Sequence, residues 1–126
     1  MAKVLVVEDN PANLTLATFL LQSAGHSVLS ARDAESGLAL ARVEQPDLVL
    51  MDIQLPGMDG LEATGLLKSD PSTRAIPVIA LTALAMKGDE QRILAAGCDG
   101  YIGKPLAYKE FLATIAAQLL KAPLYG

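Results

Sequence analysis

The apolar positions of this chain follow two alternating rhythms. Short runs over Val4 to Val7, Ser27 to Ala31, Asp47 to Met51, Pro77 to Leu81 and Gly100 to Ile102 predict strands. All but the second are nearly continuous in apolar character, as strands covered on both faces are. Between them the spacing changes to i, i+3, i+4, i+7, the signature of a helix with one buried stripe. Ala17, Leu20, Leu21 and Ala24 keep that spacing, as do Ala34, Gly37, Leu38 and Ala41, and Phe111, Leu112, Ile115, Ala116 and Leu119 stripe the last segment. Asp33 is placed to cap the second helix, Gly25 and Gly97 stand where helices stop, and "GLLKSDPSTRAIP" reads as a loop. The pattern predicts an α/β fold of five βα units around a parallel sheet, with helices on both faces. Pro123 breaks the last helix, so residues 1–121 read as one domain and 122–126 as a short tail.

Composition narrows the class. A chain of 126 residues with 52% hydrophobic content can bury a single core. Ten basic against fourteen acidic side chains leave a net charge of −4, which opposes direct binding to nucleic acid or anionic membranes. Cys98, the single cysteine, has no internal disulfide partner and reads as a small buried filler beside Gly97. The opening "MAKVLVVEDN" holds only a short apolar run before acid appears, too short for a leader peptide or membrane span, so the chain reads as cytoplasmic. His26, in the turn before the second strand, reads as a surface residue. Leu16 and Phe19 fall off the stripe of the first helix and are expected to be exposed.

In an open parallel sheet, ligands bind beyond the carboxyl ends of the strands, so the informative residues are those that follow each strand. Glu8 and Asp9 follow the first, Asp52 the third, Thr82 the fourth, and Lys104 with Pro105 the fifth. Three carboxylates, a hydroxyl and an ammonium are therefore expected on one rim. Crowded carboxylates disfavour one another's ionisation, so a compensating cation is needed. Hard oxygen ligands suit magnesium, which commonly takes one or two carboxylates together with phosphate oxygens. A phosphoryl group on Asp52 would satisfy the whole set, with the ammonium and hydroxyl meeting its remaining oxygens.

The segments "VVEDN", "MDIQLPGMDG", "ALTA" and "YIGKP", in that order over essentially the whole chain, resemble the receiver domain of two-component response regulators, most of all single-domain receivers and those of hybrid kinases. The resemblance implies a flavodoxin-like receiver fold with strand order 2-1-3-4-5. It implies that Asp52 is the phospho-acceptor, and that Glu8, Asp9, Asp52 and the backbone carbonyl of Gln54 hold magnesium. Thr82 and Lys104 would contact the phosphoryl group, Tyr101 would be the switch aromatic, and the Lys104–Pro105 peptide would be cis. The implied partners are a sensor histidine kinase or histidine phosphotransfer protein as donor and a downstream protein target. Asn10, Asn13, Leu16 and Pro105 are expected to form the donor-facing surface. Beyond accepting the phosphoryl group and losing it slowly to water, no catalysis is implied. Gln54 and Leu84 would flank the path of that water, apolar Leu84 slowing its attack. Glu8 departs from the family's commoner Asp, lengthening one metal-side arm.

Rival readings are weaker. An aspartyl-phosphate hydrolase needs a carboxylic acid two residues beyond its nucleophile, where this chain has Gln54. A flavin or nucleotide module of the same topology needs a glycine-rich cradle after the first strand, where "VVEDNPANL" supplies acid. The receiver portion of a longer hybrid kinase remains an alternative setting for the same chemistry.

Overall fold

The computed structural model describes residues 2–83 and 87–121. Five strands, β1 (Lys3–Val7), β2 (Ser27–Ala31), β3 (Leu48–Asp52), β4 (Val78–Thr82) and β5 (Gly100–Gly103), pair in parallel in the order β2-β1-β3-β4-β5. They alternate with α1 (Pro11–Ser23), α2 (Ala34–Glu44), α3 (Gly60–Ser69), α4 (Lys87–Ala95) and α5 (Tyr108–Lys121). Leu84 and the 122–126 tail lie outside the described residues.

Strand alternation divides the interior into two layers. Leu5, Val7, Val49, Met51, Val78 and Ala80 face Leu38 and Ala41 of α2, Ala63 and Leu67 of α3 and Ile93 of α4. Val4, Val6, Leu48, Leu50, Ile79 and Leu81 face Ala17, Leu20 and Leu21 of α1 and Phe111 and Ile115 of α5. Both faces of the central strands are thus covered, which is why their sequences run apolar without interruption. β2 pairs on one side only and is largely half-buried or exposed, in keeping with its broken pattern.

Helix starts are set by short polar side chains. Asn10 accepts the N–H of Asn13 (3.1 Å) ahead of Pro11 at the first helical position, Asp33 accepts that of Ser36 (2.8 Å), and Asp59 that of Glu62 (2.8 Å). Gly25 and Gly97 take positive φ after α1 and α4, as expected of residues that end helices.

Three expectations are corrected. The segment taken wholly as a loop begins inside α3, because Gly60, Ala63, Thr64 and Leu67 form a buried helical stripe of mostly small residues that an apolar count overlooks. β3, β4 and β5 each run one residue further than expected, since the ladder pairs Asp52 with Leu81 and Thr82 with Gly103. His26 is half-buried, its Nδ1 accepting the N–H of Ala2 at 3.2 Å.

Candidate functional site

The register of the sheet assembles the rim. β1 and β3 pair with Val7 abreast of Met51, so the next residues, Glu8 and Asp52, meet side by side. Each continues the parity of its strand's residues on the α1/α5 face, and both are buried, at 1% and 3% exposure. Asp9, half-buried, completes a group whose carboxylate oxygens, one from each residue, lie within 4.8 Å of one another. β5 brings the cation. The Lys104 N–H donates to the Thr82 carbonyl (2.8 Å), and the Lys104–Pro105 peptide is cis. Lys104 Nζ then stands 2.9 Å from Glu8 Oε1 and 3.1 Å from Asp52 Oδ1.

Main-chain donors finish the arrangement. The Gln54 N–H donates to Asp52 Oδ1 (3.1 Å), and the Asn10 N–H to Glu8 Oε2 (3.3 Å). Sequence reading missed both, because a backbone N–H leaves no mark in side-chain pattern. The side chain of Gln54 is exposed beside the rim.

The electrostatics follow from two buried acids sharing one ammonium. Burial, and then the neighbouring Glu8 carboxylate, push Asp52 up to about 7, against the pull of Lys104. Burial also opposes ionisation of Glu8, but Asp52 and Lys104 outweigh it and hold Glu8 below its ordinary value. The two acids are thus pushed apart in titration, Asp52 taking up its proton before Glu8 as pH falls. Lys104 is raised: its burial is outweighed by contact with Glu8 and the charge of Asp52, so it stays an ammonium.

A hard divalent cation fits this donor set. Every side chain it offers at the metal side is a carboxylate, and the fully buried Glu8 Oε1 has the Lys104 ammonium 2.9 Å away, an ammonium it shares with Asp52. Three crowded carboxylates against one ammonium leave negative charge that a second cation would offset.

Thr82 is buried at the end of β4, abreast of Gly103. Tyr101, two residues back along β5, is 41% exposed, and desolvation followed by the neighbouring Glu90 carboxylate of α4 pushes its phenol above the ordinary value. Asn10 and Pro105 are exposed, Asn13 is half-buried, and Leu16 and Phe19 are 39% and 66% exposed. Pro11, Ala12, Thr15, Leu16 and Phe19 border an open groove of about 630 Å³ along α1. Cys98 is buried with Sγ 3.8 Å from Thr64 Oγ1, and burial raises its thiol, as befits a packing residue. No helix among the described residues is long and apolar enough to cross a membrane.

Comparison with known proteins agrees with this geometry. The chain is 49% identical over 116 residues to the polar-differentiation response regulator DivK of Brucella anthropi, covering 92% of this chain and 94% of that one. A CheY-like response regulator receiver domain from Methanospirillum hungatei superposes with a TM-score of 0.91 at 30% identity, over 100% of this chain and 99% of that one. The receiver domain of a sensor histidine kinase from Pseudomonas aeruginosa, whose crystal structure has a magnesium ion coordinated in the active site cleft, superposes with a TM-score of 0.89 at 34% identity, over 95% and 98% of the two chains. Residues 4–116 match the response regulator receiver domain family. With its doubly wound sheet and acidic rim, the chain belongs to that family of two-component signalling domains.

Proposed function

We propose that Asp52 accepts a phosphoryl group from a phosphohistidine on a sensor kinase or phosphotransfer protein, and that residues 1–121 form the switch unit. The observation that carries this is Lys104 Nζ set between Glu8 and Asp52 in a cluster of three carboxylates. Asp52 attacks as the carboxylate: a bond forms from its oxygen to phosphorus as the bond from phosphorus to the donor imidazole breaks, and the imidazole nitrogen keeps the electron pair. Glu8, Asp9, Asp52 and the Gln54 carbonyl would hold magnesium, which when bound neutralises charge on the transferred oxygens. The related Pseudomonas receiver, with magnesium in its cleft, supports that assignment. Lys104 and the Thr82 hydroxyl meet the other phosphoryl oxygens. Drawing Thr82 toward them alters the packing beside Tyr101, whose exposed ring can rearrange, so a downstream protein reads the change at α4, β5 and α5. Catalysis by this chain is limited to its own phosphoryl acceptance and slow hydrolysis.

The donor is expected to dock along α1, where Leu16 is exposed and no charged residue occurs between Pro11 and Ser23. Treating the protein with acetyl phosphate and magnesium should add one phosphoryl group, seen by intact mass and absent in Asp52→Asn. Persistence of the adduct in that variant would refute the assignment. Leu16→Glu should slow transfer from a phosphorylated donor protein about tenfold while leaving acetyl phosphate reactivity unchanged, since a charge is forced into an apolar contact. Equal losses in both reactions would place the damage in the fold instead.

A further inference from the structure

The absence of a side chain at Gly60 bears on the acceptor itself. A Cβ built there would collide with the Asp52 carbonyl oxygen and lie 2.8 and 2.9 Å from Asp52 C and Ile53 Cα, all backbone atoms that cannot swing aside. The first residue of α3 is thus seated directly on the peptide of Asp52. Two hydrogen bonds hold it there: the Gly60 N–H donates to the Ile53 carbonyl (2.9 Å), and the buried Thr64 hydroxyl donates to the Gly60 carbonyl (2.8 Å). The chain from Ile53 to Gly60 is thereby closed at its base, and it carries Gln54, whose N–H holds Asp52 Oδ1. Elsewhere on α3 the packing makes no such demand, for a Cβ at Gly65 would meet open space.

We infer that Gly60 is a positioning residue, fixing the main chain of Asp52 and Gln54 so that the acceptor oxygen and the Gln54 carbonyl point into the rim. The inference rests on the reading of Asp52 as acceptor. Relieving a clash of this kind requires backbone to move by about an ångström, and a misplacement of that size can cost about 100-fold in rate.

The test compares Gly60→Ala, Gly65→Ala and Thr64→Val with the unmodified protein. Two readouts are used: the amide shift and exchange protection of Gln54 by NMR without metal, and the rate of phosphorylation at saturating acetyl phosphate and magnesium. In folded Gly60→Ala, the Gln54 amide should shift and lose protection, and the saturating rate should fall about 30- to 100-fold. Gly65→Ala should match the parent in both. A Gly60→Ala protein that melts earlier but keeps the parent's Gln54 amide and saturating rate would overturn the inference. Should Gly60→Ala fail to fold, Thr64→Val decides. It replaces by a methyl group the hydroxyl that holds the Gly60 carbonyl and that accepts the long Cys98 thiol contact, so a shifted Gln54 amide with a several-fold slower rate supports the positioning role, and parent values for both refute it. A parent that takes up no phosphoryl group, yet whose Gln54 amide responds to Gly60→Ala, would remove Asp52 as acceptor while leaving the positioning intact.

Discussion

The two ends of the sheet each hold a lysine paired with acid, and they are built to different ends. At the amino ends of β4 and β5, Lys68 Nζ donates to the Ile76 carbonyl (2.8 Å), the Arg74 carbonyl (3.4 Å) and Asp99 Oδ2 (2.9 Å). Asp99 Oδ2 in turn accepts the Val78 N–H at 2.8 Å. An ammonium has three protons to give, and all three are placed. At the carboxyl ends, a single ammonium, Lys104, is shared between Glu8 (2.9 Å) and Asp52 (3.1 Å), with the Asp9 carboxylate close by. The first cluster is closed and balanced, and ties α3 to β4 and the turn before β5. The second carries an excess of negative charge that folding alone does not relieve, so it is open to a cation and to chemistry.

That contrast can be broken from either side. The largest effect is expected at Lys104. Replacing it by Met removes the cation beside Asp52, and phosphorylation by acetyl phosphate should slow about 100-fold, as loss of one charge-stabilising donor generally does. Lys68→Met should leave that rate unchanged. Similar losses in both variants would mean that Lys104, too, serves only the fold.

Next comes the cost of a charged Asp52 buried beside Glu8. Without metal, the Asp52 carboxyl is raised from 3.8 to about 7. Between those values the native state keeps a proton that the unfolded chain has released, so the stability contributed by Asp52 is whole below about pH 4, falls as pH rises, and levels off above about 7. Asp52→Asn has no such proton to lose. In chelator it should be the more stable protein by about 1–3 kcal/mol at pH 8, with the gap closing toward pH 4. Urea unfolding across that range measures it, and a pH-independent gap would show that ionisation of the buried Asp52 is not its cause.

A smaller effect separates carboxylates by location. Asp9→Asn should weaken magnesium binding about tenfold, because one charge and one oxygen ligand change character. Asp47→Asn, at the other end where Asp47 Oδ2 accepts the Lys3 N–H, should not alter it. Calorimetric titration distinguishes the two, and equal losses would indicate only a diffuse effect of net charge. The smallest effect is the stability cost of Lys68→Met, about 1 kcal/mol in thermal or urea unfolding, since part of the cluster becomes solvated once the ammonium is gone. No measurable loss would show that water replaces Lys68 without penalty.

Much of this was legible in the chain itself. Continuous apolar runs marked the covered strands β1, β3 and β4, though β5, expected to be covered likewise, is an edge strand buried only at Ile102; the broken run marked β2 as different, and the stripe of α2 was read residue for residue, because burial imposes a period that side-chain type must follow. The rim was legible for a related reason. In a parallel sheet every strand delivers its next residue to the same edge, so order along the chain is enough to collect Glu8, Asp9, Asp52, Thr82 and Lys104. Three-dimensional packing decided the rest. The register of β1 on β3 set Glu8 abreast of Asp52, and burial together with that contact pushes the titration of two ordinary acids apart. The start of α3 escaped notice because small residues create close approach by lacking atoms, and an absence has no hydropathy. Gly60 shows its purpose only when the Asp52 carbonyl is found where its side chain would have been.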